Sequence, residues 1–297
     1  MNCKSCAGAI VGDIVGSRFE RRNIKTKDFL LFHKDCSFTD DSVMTLAVAN
    51  ALIENADGGD ELETSVVRFM QEYGRRFPNA GYGGDFLDWI YSSMPQPYNS
   101  WGNGAAMRVS ACGWCGNSLE EVRELSRIVT SVTHNHPEGL KGAEATAVAT
   151  YLARTGSTKE VIRDVIVREY YPKRFTLNEI RDKYRFDVSC QGTVPQALQA
   201  FFESVSFEDA IRNAVSIGGD SDTIAAICGA VAGAYWGIPK EIWLSAAAYL
   251  DPFLLDALYR FEVGFTTTLP VKPEELVAHC PKTKLCTGCC ASQLVDS

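Results

Sequence analysis

The chain has 297 residues, 46% of them hydrophobic and 22% charged, an ordinary soluble composition with length for a full core in one large domain or two. Its net charge of −8 argues against an extended nucleic-acid footprint and against a membrane-surface role. It shows no basic-then-apolar leader and no run approaching ~18 apolar residues, so a cytoplasmic protein without a membrane span is expected.

In chain order, the first signal is Gly8, Gly12 and Gly16, spaced by four within an apolar segment. On a helix they line one face without side chains and allow close approach of another backbone. The spacing is not that of a G-x-G-x-x-G phosphate loop. Glu20 follows as either a solvated loop charge or a functional carboxylate. Next, Thr39-Asp40-Asp41-Ser42 precedes the apolar run Val43 to Ile53.

Val66, Val67 and Met70 continue a helical period up to a loop around Pro78–Gly84. A short helix is expected over Asp85–Ile90, with Asp85 its cap. The loop Pro95–Val109 contains Ser100, Gly102, Asn103 and Gly104. Their approachable backbone N–H groups at the mouth of a helix suit a phosphate, although Gly-Asn-Gly is also common turn chemistry.

Ser118-Leu-Glu-Glu121 reads as a capping box, followed by Val122, Leu125, Ile128, Val129 and Val132 at helical period. That helix runs into Thr133-His134-Asn135-His136. An i, i+2 histidine pair does not share a helix face, which disfavours zinc. His134 reads either as a donor to a ligand phosphate or ribose or as a satisfied core histidine. Further capping boxes are expected at Ser157–Glu160 and Thr176–Glu179, and a polar loop over Tyr184–Pro195.

Gly218-Gly219-Asp220-Ser221-Asp222-Thr223 then opens a small-residue apolar run, Ile224 to Trp236, expected to be a buried helix. Capping needs one acidic residue there, not a row of oxygen donors. With Thr39, Asp40 and Asp41 it composes a split oxygen-rich set suited to Mg²⁺ or another hard divalent cation. The aspartates would repel one another without a cation between them.

Strand signals are scarce, so one all-α domain over residues 7–264 is expected, with a cysteine-rich tail at 265–297. The eleven cysteines are odd in number and scattered, which does not suggest a disulfide framework. Cys112-x-x-Cys115 lacks the βαβ context of a redox motif. Cys3 and Cys6 with Cys286 and Cys289 could supply thiolates to a structural Zn²⁺ pinning the two ends together.

Taken together, Gly12-Asp13 with Gly16 and Glu20, Thr39-Asp40-Asp41-Ser42, Gly102-Asn103-Gly104 through Arg108, Thr133-His134, and Gly218–Thr223 resemble, in order, the motifs of the ADP-ribosylglycohydrolase family, of the kind that includes dinitrogenase reductase-activating glycohydrolase. The resemblance covers residues 7–264. It implies a compact orthogonal helical bundle with a two-metal centre, Mg²⁺ or Mn²⁺. It also implies cleavage of the N- or O-glycosidic bond between ADP-ribose and an acceptor, commonly a modified protein side chain.

By the same resemblance Thr39, Asp40, Asp41, Asp220, Asp222 and Thr223 are metal ligands. Glu20, or a metal-bound aspartate such as Asp41, serves acid–base chemistry. Gly102, Asn103, Gly104 and His134 lie near the diphosphate and ribose, and Ser100 joins them by position. Some members carry a catalytic aspartate just before the glycine loop, where this chain reads Tyr98-Asn99-Ser100-Trp101, so that role is unassigned. Two other readings share these residues: a two-metal phosphoesterase and a non-catalytic ADP-ribose-binding protein.

Overall fold

The glycine-spaced segment forms the helix it predicts, and its bare face meets the helix after the second acidic cluster. A Cβ built on Gly12 would lie 2.0 Å from the Ala225 carbonyl oxygen, and one on Gly8 would lie 2.2 Å from that of Gly229. On Gly16 it would fall 2.5 Å from the Asp222 Cα. No side chain fits between these two backbones, so the acidic turn at 220–222 is drawn against the end of the first helix.

This computed structural model describes residues 5–265. In order the helices are α1 (Ala7–Ser17), α2 (Asp40–Ala56), α3 (Leu62–Arg76), α4 (Gly84–Tyr91), α5 (Gly104–Met107), α6 (Ser110–Cys115), α7 (Leu119–Ser131), α8 (Pro137–Arg154), α9 (Lys159–Glu169), α10 (Leu177–Ile180), α11 (Cys190–Glu203), α12 (Phe207–Ser216), α13 (Ser221–Trp236), α14 (Lys240–Ala247) and α15 (Pro252–Phe265). Among the described residues β-type pairing is confined to isolated bridge positions, such as Gly102 with Ser189. The fold is all-α, as expected.

α13 is buried along nearly its whole length, and α1, α2 and α8 bury all or most of theirs. Small residues make this possible, since Ala and Gly let helices approach without large side chains between them. α11 and α12 close over α13, and α15 packs on α2. Near the ends of the described chain, the buried Glu262 of α15 accepts hydrogen bonds from the Ser5 hydroxyl (2.5 Å) and the Cys6 N–H (3.0 Å). Of the suggested zinc ligands, Cys6 is core-buried at the start of α1, and Cys3, Cys286 and Cys289 lie outside the described residues, as does most of the 265–297 tail.

Local details depart from the sequence reading at several helix starts. α9 is capped by Thr158, one residue after the expected Ser157. Ser118 caps α7, but Glu121 reaches back to the N–H of Asn117 instead of closing the reciprocal box; Thr176 and Glu179 do close theirs. α4 starts one residue early, so Asp85 sits in its first turn with Gly83 at the cap. The expected loop to Pro195 ends at Ser189, whose hydroxyl accepts from the Gly192 N–H and starts α11 with Pro195 inside it. Cys112 of the C-x-x-C pair is buried in α6, its thiol pushed up to about 12 by that burial, which makes it a packing residue rather than a nucleophile.

Candidate active site

The N-termini of α2 and α13 converge beside the end of α1, and each carries its acidic cluster in or before its first turn. Positive helix ends partly offset the carboxylates gathered there. Gly218 and Gly219 have φ of +67° and +81°, the left-handed region that favours glycine. Asn23 holds their turn by a reciprocal pair of 2.8 Å hydrogen bonds with the Gly219 N–H and carbonyl, and the Lys25 ammonium donates to the carbonyl of Ile217. Asp220 occupies the cap position of α13 but makes no side-chain capping bond. Its carboxylate accepts instead from Asn103 Nδ2 at 2.6 Å.

Asp13, Asp41 and Asp222 each place a carboxylate oxygen within 4.8 Å of the other two, and all three are buried. Asp13 accepts from the Thr39 N–H (2.9 Å) and hydroxyl (2.7 Å) and from the Ser42 N–H (3.1 Å) and hydroxyl, so it secures the start of α2. Asp41 Oδ2 accepts from the Thr223 hydroxyl at 3.1 Å, while its Oδ1 is buried without a hydrogen-bond partner. A buried carboxylate oxygen with no donor beside two further carboxylates is costly.

The protonation tendencies carry the same message. Burial pushes Asp13 up to about 6 despite its donors. Asp40, partly open to the cleft yet enclosed by protein, is pushed up to about 8 by burial and then by Asp13. Asp41 and Asp222 are driven well above the usual carboxylate range by burial, with neighbouring aspartates adding repulsion, and burial also raises Asp220. A divalent cation supplies what this constellation lacks: positive charge and a partner for the orphaned oxygen. The donor set fits one.

Across the cleft, the loop at 98–104 pairs with the segment before α11: the Asn103 N–H donates to the Val188 carbonyl (2.7 Å) and the Cys190 N–H to that of Trp101 (2.9 Å). The Gly102 N–H donates to the Ser100 hydroxyl at 3.1 Å. Two of the backbone donors expected to cradle a phosphate are therefore already engaged, because the loop needs them to hold its own shape. The Asn103 side chain is likewise committed, donating to Asp220 and to the Thr193 hydroxyl (3.1 Å). What the loop offers is proximity. A Cβ on Gly104 would come within 3.3 Å of His134 Nε2.

His134 is buried, and that burial, reinforced by the nearby Arg108 guanidinium, lowers its basicity well below the usual histidine value. Glu20 sits at the lip of the cleft, 3.6 Å from Arg21, with its carboxyl raised by burial.

One cleft of about 390 Å³ is lined by Glu20, Thr39, Asp40, Asp41, Ser100, Gly102, Asn103, Gly104, His134, Asp220, Asp222 and Thr223. These are the residues the sequence named as divalent-cation ligands, acid–base groups and ligand contacts; the cysteines suggested for zinc are not among them. The sequence reading gave no place in the site to Asp13, whose signal was a carboxylate inside an otherwise apolar buried helix, nor to Arg108, Tyr98, Phe186 and Val188, nor to Asp85, read only as a helix cap; these also line or support the cleft. Asn23 and Lys25 carried no signal at all.

Comparison with known proteins agrees with this geometry. The family model for ADP-ribosylglycohydrolase matches residues 3–260. The chain is similar to ADP-ribosylhydrolase ARH3 of Mus musculus (26% identity, 80% of this chain and 84% of that one). It is likewise similar to ADP-ribosylhydrolase ARH3 of Homo sapiens (25%, 80% and 86%). Over a shorter stretch it resembles ADP-ribosylarginine hydrolase Tri1 of Pseudomonas putida (32%, 50% and 42%). A solved structure described as an ADP-ribosylglycohydrolase-related protein complex matches with a TM-score of 0.60 at 25% identity, over 87% of this chain and 96% of that one. The chain belongs to the ADP-ribosylglycohydrolase family, a family of hydrolases, and has its all-α fold.

Proposed function

We propose that this protein hydrolyses the glycosidic bond between ADP-ribose and a modified protein side chain, with two divalent cations held by Thr39, Asp40, Asp41, Asp220, Asp222 and Thr223. The observation that carries the reading is the orphaned Asp41 Oδ1 within a buried trio of carboxylates. Such a group is stable only with a cation or bound protons. When bound, Mg²⁺ or Mn²⁺ supplies Lewis-acid polarisation of ribose oxygens and of a water.

The chain's own residues do the rest. Asp13 and Thr223 fix Asp41 and the start of α2, so the oxygen donors need no rearrangement to receive their ligand. Ser100 and His134 orient the diphosphate against the glycine loop. Glu20, with a carboxyl raised by burial, accepts a proton from the attacking water. As the anomeric carbon gains oxocarbenium character, its bond to the acceptor breaks, the water oxygen bonds to that carbon, and the acceptor departs with a proton taken from solvent, to which Glu20 returns the one it received.

The test is release of ADP-ribose from arginine-, serine- and glutamate-linked conjugates in Mg²⁺, Mn²⁺ or chelator. Cation-dependent release of intact ADP-ribose from one linkage is expected, and Glu20→Gln should lower kcat by about 10²–10⁴ while cation binding persists. Products with a cleaved diphosphate would replace this reading with a phosphoesterase. Tight ADP-ribose binding without release from any linkage would replace it with a binding protein.

A further inference from the structure

Arg108 is among the largest fully buried side chains of the molecule, 1% exposed, and its Nε has no hydrogen-bond partner. A guanidinium buried in this way needs a purpose, because its desolvation is expensive. Its NH2 group donates to the Thr133 hydroxyl at 2.6 Å and approaches His134 Nδ1 at 3.5 Å. The Thr133 hydroxyl lies 2.7 Å from that same Nδ1.

The direction of this chain of contacts follows from which groups can accept. Guanidinium has donors only, so the Thr133 oxygen accepts from Arg108 and has its own proton to give. The other available acceptor, the Thr130 carbonyl, is 3.5 Å away and already accepts from the N–H groups of Thr133 and His134. The hydroxyl proton therefore goes to His134 Nδ1. A proton on Nδ1 would also point at the guanidinium, donor against donor. Nδ1 is left bare, and the ring proton sits on Nε2, the nitrogen beside Gly102 and Gly104 in the same wall of the cleft.

We infer that Arg108 and Thr133 are positioning residues that lock His134 as the Nε2–H tautomer, a fixed hydrogen-bond donor toward the ligand. The charged and titratable groups facing the ring are Arg108, from the residue following α5, and Tyr98, whose ring centroid lies 5.8 Å away. From α8 the neighbour is the backbone at Gly139. Arg108 opposes a second positive charge, and burial of the ring acts in the same direction. The cleft thus holds a directional donor in its loop half without adding a proton-dependent charge. The ligand assignment rests on the proposed function; the tautomer does not.

The experiment is side-chain ¹⁵N NMR of His134 in the full chain, assigned by comparison with His134→Gln. A bare Nδ1 and a protonated Nε2, unchanged between pH 5.5 and 8, are expected. Thr133→Val removes the hydroxyl donor and should mix the tautomers and raise the protonation midpoint, while Thr133→Ser should restore the parent spectrum. In the ADP-ribose release assay, Thr133→Val should raise KM by roughly tenfold, the worth of one charge-assisted hydrogen bond, with kcat little changed. A proton on Nδ1, an imidazolium forming above pH 6 in the parent, or a Thr133→Val spectrum identical to the parent's would overturn the inference. Because the spectrum needs no substrate, its failure is separable from a failure of the hydrolase reading.

Discussion

The two sides of the cleft are built on opposite principles. The acidic side, from α1, α2 and α13, gathers carboxylates that repel one another and leaves Asp41 Oδ1 without a partner. The loop side, from residues 98–104, 108, 133–134 and 187–193, directs its internal donors into holding its own shape. One side leaves a carboxylate oxygen unpartnered among like charges, and the other spends most of its polar groups on one another. Asn103 joins them: its backbone belongs to the loop, and its amide holds Asp220 of the acidic side. A site that must accept a charged group and still present a rigid surface can divide the two tasks in this way.

The largest expected effect comes from removing a member of the acidic side. Asp222→Ala should lower activity by at least about a thousandfold, the rate equivalent of several kcal/mol of lost charge stabilisation. It should also abolish the cation-dependent rise in Tm, seen by differential scanning calorimetry. Equal turnover in variant and parent would break the comparison at its centre.

Next is the contact that brings the acidic side together. Gly12→Ala introduces a Cβ only 2.0 Å from the Ala225 carbonyl oxygen, and should destabilise the fold by about 3 kcal/mol. Urea unfolding reads this directly. An unaltered midpoint would mean that α1 and α13 can separate without loss.

The pH dependence of the metal-free protein sharpens the asymmetry. Asp13 and Asp40 are raised from 3.8 to about 6 and about 8, so in that range the folded state binds more protons than the unfolded chain. Stability is then fully present below 3.8 for these groups and is lost as pH rises through about 6 and about 8. Tm in chelator should fall by on the order of 10 °C between pH 5 and pH 8. Saturating Mg²⁺ or Mn²⁺ at pH 8 should recover it, with about 2.7 kcal/mol gained at a hundredfold excess over Kd. A flat profile in chelator would show that the carboxylates are relieved by some other means.

The smallest effect is expected at the link. Asn103→Ala should weaken cation binding by roughly 10- to 100-fold, as loss of a residue orienting a metal ligand does, measured by titration calorimetry. The His134 spectrum should hardly change. A large change there would mean that the two sides are coupled more tightly than their hydrogen bonds indicate.

Much of this was legible in residue order. The four-residue glycine spacing predicted a close helix contact, and Ser118 and Thr176 marked helix starts that the structure retains. The two acidic clusters announced themselves because carboxylates ahead of long apolar runs need a reason. The mixed signals were local ones. Ser157 and Thr158 are adjacent hydroxyls, and only the chain path chooses which becomes the cap.

What the sequence determined by itself was periodicity and chemical type: an all-helical chain, a bare helix face, and oxygen donors in two clusters far apart in number. Tertiary structure alone decided which helix fills that face, that Asp13 joins Asp41 and Asp222, and that the N–H groups of Gly102 and Asn103 serve the loop instead of a ligand. The physical reason is range. Helical period and capping act over a few residues, whereas a carboxylate's protonation and a donor's availability depend on atoms brought close from distant parts of the chain.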